Sequence, residues 1–337
     1  MGKVREYLVL SRIQTASVTA LAPVIGILST GMGTIEVCIL YFIIGLLVHI
    51  YGFVLNEWAD YIYDCKADYL KSKPLVAGTI SRNSALALAL FSMVVAYILV
   101  VFTTKNILSL PLMLISLICG GVYDLKGKRI IGSDFILATW AFTFTLAAGL
   151  SVLPNVSMLD IPPMLTLVSI LGAIQVLFNN SVEGGIKDLE QDRSSGARTW
   201  MLFLGSKVVN EELKLSFSSI AFAYLTKSIF FFFVISPVIF KLVIFSDFEF
   251  FAYSILTTLF SSAMFFTMPK FMFVKKYDRE KLKKIFSAHE VATFFLISTV
   301  IIPLIGLGYA LILMLIPLAW YVITNLLLYG KALQPQV

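Results

Sequence analysis

Asn56-Glu-Trp-Ala-Asp60-Tyr-Ile-Tyr-Asp64-Cys-Lys-Ala-Asp68-Tyr-Leu-Lys-Ser-Lys73-Pro74 follows directly on an apolar run, Cys38 to Leu55, that is long enough to cross most of a bilayer. Asn56, Asp60, Asp64 and Asp68 are each four residues apart. On a helix, steps of four drift by only ~40°, so their oxygens form one stripe. Three carboxylates on one face repel each other unless a cation sits among them. Hard oxygen ligands suit Mg²⁺, which takes one or two carboxylates and leaves its other positions to water and substrate phosphates. The stretch therefore predicts a Mg²⁺ and diphosphate site at the water end of a membrane helix. The plainer reading is a solvated helix end where acids cluster.

Composition supports the membrane setting. The chain has 337 residues, 59% of them hydrophobic and 14% charged, where a soluble domain carries about a quarter charged residues. Cys38, Cys65 and Cys119 lack ligand-like spacing, so neither a disulfide frame nor a zinc site is expected. Met1 to Arg12 shows no cleavage pattern, and no signal peptide is expected. The net charge of +6 marks loops rather than a nucleic-acid partner.

Ten apolar runs can be drawn, at about 13–30, 35–55, 84–104, 107–122, 133–152, 162–181, 216–243, 250–268, 290–307 and 309–329. Several fall short of the ~20 residues that span a hydrocarbon core, so flanking residues contribute. With the N-terminus inside, the inner segments 1–12, 56–83, 123–134, 183–215, 270–289 and 330–337 hold 23 of the 26 Lys and Arg. That asymmetry places the N-terminus and the acidic loops on the cytoplasmic side, of the cell membrane by expectation. Pro303, Gly306, Gly308 and Pro317 interrupt 290–329, which reads as two helices rather than one bent span. The fold expected is an all-α, polytopic membrane bundle of nine to ten transmembrane helices, one domain over 1–337.

A second acidic loop follows the sixth run. Asp188 and Asp192 are four apart, Glu183 lies about one turn earlier, and Gln175, Asn179 and Glu183 carry a polar stripe back into the membrane. Polar residues there are costly and face either a partner or a water-filled cavity. Two carboxylate clusters at one membrane face can hold Mg²⁺ ions on either side of a diphosphate, with Asp68 and Glu183 as further candidate ligands. A third inner loop, Tyr123-Asp-Leu-Lys126-Gly-Lys128-Arg129, supplies cations. It joins Lys73, Arg82 and Arg198 as candidates for phosphate oxygens, although charge bias alone would also place them there.

Together these pieces resemble the UbiA superfamily of intramembrane prenyltransferases. The family's N-x-x-x-D-x-x-x-D motif matches Asn56, Asp60 and Asp64, and its D-x-x-x-D with downstream Gly and Thr matches Asp188, Asp192, Gly196 and Thr199. The stretch Lys73-Pro-Leu-Val-Ala-Gly78-Thr-Ile-Ser81 is similar to the family's run of basic residue, Pro, Gly and Ser. Its Tyr and Lys between the motifs correspond to Tyr123 and to Lys126 or Lys128; its N-terminal Arg corresponds to Arg12, with Pro23 and Gly26 following. Two departures stand out: Glu57 where the family often has Asp, and Gly127 where Tyr-x-x-x-Lys would put lysine.

The resemblance implies a bundle around a central cavity that opens to the cytoplasm and laterally to lipid. It implies a Mg²⁺-dependent enzyme that moves an isoprenyl group from a prenyl diphosphate to a lipophilic or aromatic acceptor. An acceptor of the quinone-precursor type is expected first, and a glycerol-phosphate ether lipid next. Asn56, Asp60, Asp64, Asp188 and Asp192 would hold metal. Tyr123 would join the aspartates in catalysis, and Lys73, Lys126, Lys128, Arg198 and Arg12 would bind substrate. His49, seven residues before Asn56 on the same face, would line the cavity. Two other functions fit the same residues: a terpene cyclase of this fold, and a transporter of cations or organic phosphates. Polar residues gathered at one membrane face weigh against transport.

Overall fold

The structure, a computed structural model, describes residues 2–65 and 70–332, apart from the side chain of Tyr63. The chain is a multi-pass integral membrane protein built almost wholly of helices. In order these are α1 (Gly2–Leu10), α2 (Ala16–Leu28), α3 (Ile35–Asp64), α4 (Arg82–Thr103), α5 (Ser109–Lys126), α6 (Ser133–Ser151) and α7 (Pro163–Phe178). Then come the short α8 (Gly185–Lys187), α9 (Leu189–Ser195) and α10 (Trp200–Phe203), followed by α11 (Phe217–Ile239), α12 (Asp247–Met272), α13 (Arg279–Val300) and α14 (Ile302–Tyr329). Short polar side chains ahead of apolar runs set several of the starts. Ser81, Ser216 and Ser246 accept from the backbone N–H three residues on, and Ser246 forms a capping box with Glu249.

Among the described residues, eight helices are long and apolar enough to cross a membrane, or nine if Gly2–Leu10 and Ile13–Leu28, bent by 55°, form one span. Nine falls within the expected nine to ten, while the helix boundaries differ from expectation at the C-terminal end. There the expected run 290–307 is divided at Ile301, and α13 starts eleven residues earlier than expected, at Arg279. Asp278 caps that start by accepting from the Lys281 N–H at 3.0 Å, so a helix grows from charged sequence where hydropathy shows only a loop. The break expected near Gly306 is present inside α14, where Gly306 turns to φ 77°. The expected inner loop 270–289 shrinks to the six residues between α12 and α13.

The helices sort into two compact units. The first holds α1 to α4, α5 as far as Leu125, α6 from Thr143 and α14 from Leu315. Its backbones pack closely: a Cβ on Gly45 of α3 would stand 2.5 Å from the Ala20 Cα of α2, an approach that only a small residue permits. Bulky apolar side chains such as Phe91 and Phe102 on α4 are exposed, as suits a surface solvated by lipid tails.

The second unit holds the loop after α5, the start of α6, α7 to α13 and the start of α14. Its core joins Phe178, Val182, Ile186, Leu189, Met201, Phe271 and Phe286. After α7 the helix widens into a π segment, Asn179–Gly184, of the sort often found at functional sites. A two-stranded hairpin pairs β1 (Lys207–Val209) with β2 (Glu212–Lys214). Its turn residues Asn210 and Glu211 both have positive φ, as such two-residue turns demand. The hairpin is tied to the loop before α13 by Leu213 N–H to Lys275 O at 2.9 Å and Tyr277 N–H to Glu211 O at 2.8 Å.

Candidate active site

Because α3 runs unbroken through Asp64, Asn56, Asp60 and Asp64 stay in helical register beyond the apolar run. Asp68 lies outside the described residues. Around this stripe the first unit assembles a chain of charges. Arg12 donates from Nη2 to Glu57 Oε1 at 2.5 Å. Lys73 Nζ lies 2.9 Å from Glu57 Oε2 and 2.7 Å from Asp64 Oδ2. Glu57 and Asp64 are buried, so their charges need these cations. Burial pushes the Asp64 carboxyl above its ordinary range; Lys73 pulls it back, while Glu57 and Asp60 add to the rise. Asp60 also has partners among its neighbours.

Arg12 occupies the left-handed region, φ 47° and ψ 45°, which a long side chain adopts only when its surroundings impose it. His49 supplies part of that constraint. It is 1% exposed, with Nε2 at 2.9 Å from Ser11 O and 3.3 Å from Arg12 O, and Nδ1 at 3.1 Å from Thr19 Oγ1. Both ring nitrogens are thus spent inside the protein. These bonds brace the Arg12 turn. Arg82, another phosphate candidate, lies over the rings of Trp58 and Tyr61 at 4.9 and 4.8 Å.

On α5, Tyr123 is half-buried and engaged with neighbours. Beside it stands Asp124, which lies outside both acidic motifs. Asp124 accepts a hydrogen bond from the Asn56 side chain and feels the charge of Asp60. Lys126 is exposed at the end of the helix and Lys128 is half-buried in the second unit.

The second unit organises the other acidic motif. The helix is interrupted at Asp188, yet Asp192 N–H still donates to Asp188 O at 2.8 Å, which keeps one turn between the two carboxylates. Asp188 Oδ1 accepts from Arg279 Nη2 at 2.8 Å and Nε at 3.2 Å, and Lys187 Nζ lies 3.5 Å from Oδ2. Tyr277 donates to Lys187 O; burial and the nearby Asp188 charge push its phenol up to about 12. Asp192 is buried and engaged with neighbours. Gly196, in the left-handed region, ends α9, and Arg198 N–H then donates to Lys128 O at 2.9 Å, tying the two basic loops of this unit together.

Glu183 lies in the π segment and is 2% exposed, with Glu290, Lys227 and Lys187 as charged neighbours. Lys227 is wholly buried; it donates to Gln175 Oε1 at 2.8 Å and sits 4.0 Å from the centre of the Phe178 ring. The polar stripe Gln175, Asn179, Glu183 therefore meets a protein partner, a lysine from α11. Arg279, Tyr277 and Glu57 were not anticipated as site residues. Glu57 carried a faint signal as the acid beside Asn56, whereas the first two lie about 90 residues from Asp188 and carried none.

The donors assembled here are carboxylate and amide oxygens, the chemistry of a hard divalent cation. Among the described residues no three His, Cys, Asp or Glu side chains converge on one metal position. Mg²⁺ does not require that, because waters and phosphate oxygens complete its shell.

The sequence profile of the UbiA prenyltransferase family matches residues 16–246, which include both acidic motifs. No curated protein matches the chain. Among solved structures, a digeranylgeranylglyceryl phosphate synthase is 21% identical with TM-score 0.64, over 91% of this chain and 100% of that one. A UbiA homologue from Aeropyrum pernix K1 is 16% identical with TM-score 0.66, over 87% of this chain and 98% of that one. A UbiA homologue from Archaeoglobus fulgidus bound to GPP and Mg²⁺ is 17% identical with TM-score 0.59, over 92% and 99%. At these identities the likeness is one of fold.

Proposed function

The chain belongs to the UbiA prenyltransferase family, and from that premise we propose that it moves an isoprenyl group from a prenyl diphosphate to a lipophilic acceptor, with Mg²⁺ as cofactor. The observation that carries this reading is the pairing within each unit of motif carboxylates with cations. Asp64 with Lys73 and Glu57 with Arg12 form one set, and Asp188 with Arg279 and Lys187 the other. A diphosphate head needs both kinds of group. Carboxylates hold its metal, and ammonium and guanidinium groups bind its remaining oxygens.

Asn56, Asp60, Asp64, Asp188 and Asp192 would hold Mg²⁺, which neutralises negative charge on the departing diphosphate. Lys73 already lies against Asp64, and Arg279 and Lys187 against Asp188, which makes them candidates to bind phosphate oxygens. Arg12, Lys126, Lys128 and Arg198 add positive charge, and Tyr123 is a further candidate at the reacting end. When the bond between the allylic carbon and oxygen breaks, its electron pair leaves with diphosphate. The acceptor then bonds to the allylic carbon and gives up a proton. The Archaeoglobus homologue is bound to GPP and Mg²⁺, which supports this choice of donor and metal. We take 1–337 as one catalytic domain, its motif loops and N-terminus cytoplasmic, in the cell membrane.

The acceptor is proposed to be aromatic, of the quinone-precursor type. Purified protein given prenyl diphosphates of several lengths, Mg²⁺ and a panel of acceptors is expected to yield a prenylated aromatic product by mass spectrometry. A prenylated glycerol-phosphate lipid instead would replace the acceptor while keeping the transfer. A hydrocarbon formed without acceptor would replace transfer by cyclisation.

A further inference from the structure

We propose that Asp124 on α5 is a further carboxylate ligand of the cation site on α3, acting with Asp60 and Asn56. This inference rests on the proposed Mg²⁺ chemistry of that site and adds to it a residue outside both acidic motifs.

Three observations within the first unit converge on it. Asn56 donates to the Asp124 carboxylate, and Asp60 acts on the same group, so an acid from a second helix joins the α3 stripe. Next, Asp124 Oδ2 is buried with no hydrogen-bond partner, although buried carboxylate oxygens are ordinarily satisfied. Finally, the position one turn before Asn56 on the stripe is Gly52, where a Cβ would stand 3.6 Å from Asp124 Oδ2. The helix surface beside the unpartnered oxygen is therefore bare.

A carboxylate with a buried bare oxygen, on which a second acid also acts, calls for a positive charge. Lys73 bonds Glu57 and Asp64, Arg12 bonds Glu57, and Arg82 lies over the Trp58 and Tyr61 rings, so none of these three reaches the bare Asp124 oxygen. A divalent cation bound by Asp60 and Asp124 supplies that charge, and Asn56 orients the second of them. Supporting groups of this kind change metal affinity by about 10- to 100-fold when removed.

The test is a Mn²⁺ titration of the purified full-length protein, followed by the loss of the free-ion EPR signal. It compares wild type, Asp60→Asn, Asp124→Asn and Gly52→Ala. The inference expects Asp124→Asn to weaken Mn²⁺ binding at least about tenfold and to reduce the rise in melting temperature that Mn²⁺ brings. Gly52→Ala, whose methyl makes only ordinary contact with Oδ2, should fold normally and weaken binding severalfold. Wild-type affinity in Asp124→Asn, with binding lost in Asp60→Asn, would overturn this inference and leave the α3 metal site standing. Wild type that takes up no Mn²⁺, or Asp60→Asn that binds like wild type, would overturn both. If Asp124→Asn does not fold, Gly52→Ala decides: unchanged affinity there rejects the role of Asp124.

Discussion

Changing Asp64 and Asp188 together to alanine is expected to lower prenyl transfer at least about 10³-fold, on the order of 4 kcal/mol in the barrier, with the fold retained. The size follows from what the two residues hold. Asp64 lies 2.7 Å from Lys73, and Asp188 accepts two bonds from Arg279, so on the proposed reading each loss removes a metal-binding oxygen and loosens a phosphate-binding cation. Groups that act as a unit do not add, so either single change should cost most of the double effect. Stability should suffer less. Lys73 keeps Glu57 as a partner, and Asp188 is only half-buried, with its side chain 30% exposed. Activity of the double variant within tenfold of wild type would show that the acidic motifs do not carry the reaction.

Lys227→Met should have the largest effect on stability, about 1–3 kcal/mol, as expected when a buried acceptor loses its charged donor. Its ammonium, wholly buried, sits among Gln175, the Phe178 ring and the carboxylates of Glu183 and Glu290. Methionine keeps most of the volume but leaves Gln175 Oε1 without its donor and removes one of the two positive charges near Glu183. Adding Glu183→Gln should recover part of the loss, because it removes an acid whose charge Lys227 offsets. Denaturation of the purified protein in detergent measures both variants. A loss below about 1 kcal/mol for Lys227→Met would mean that this cluster is already neutral or hydrated.

Much of this was legible in the chain. Asn56, Asp60 and Asp64 obey a four-residue period that the helix preserves, and the apolar runs before α4, α5, α6, α7, α11 and α12 fall within a few residues of the helices found. What escaped reading depends on approach in space. Arg279 reaches Asp188 across 91 residues, and Asp124 comes to the α3 stripe from another helix; no local pattern announces either. Helix α13 was placed too late because hydropathy reports which side chains enter lipid, whereas Asp278 starts the helix in charged sequence. The hairpin at 207–214 was hidden because Asn210-Glu211 lacks the glycine that usually marks such a turn. For a related reason, spacing does not reveal that both His49 nitrogens have partners within the protein.

The most direct test of the account is diphosphate release from prenyl diphosphates of several chain lengths, with the purified protein in Mg²⁺ or in EDTA, and with acceptor present. The account predicts release that requires Mg²⁺, equals the prenylated acceptor formed, and is lost in the Asp64 and Asp188 double variant. No release with any donor, from protein shown to be folded, would contradict it and turn the two acidic motifs over to transport.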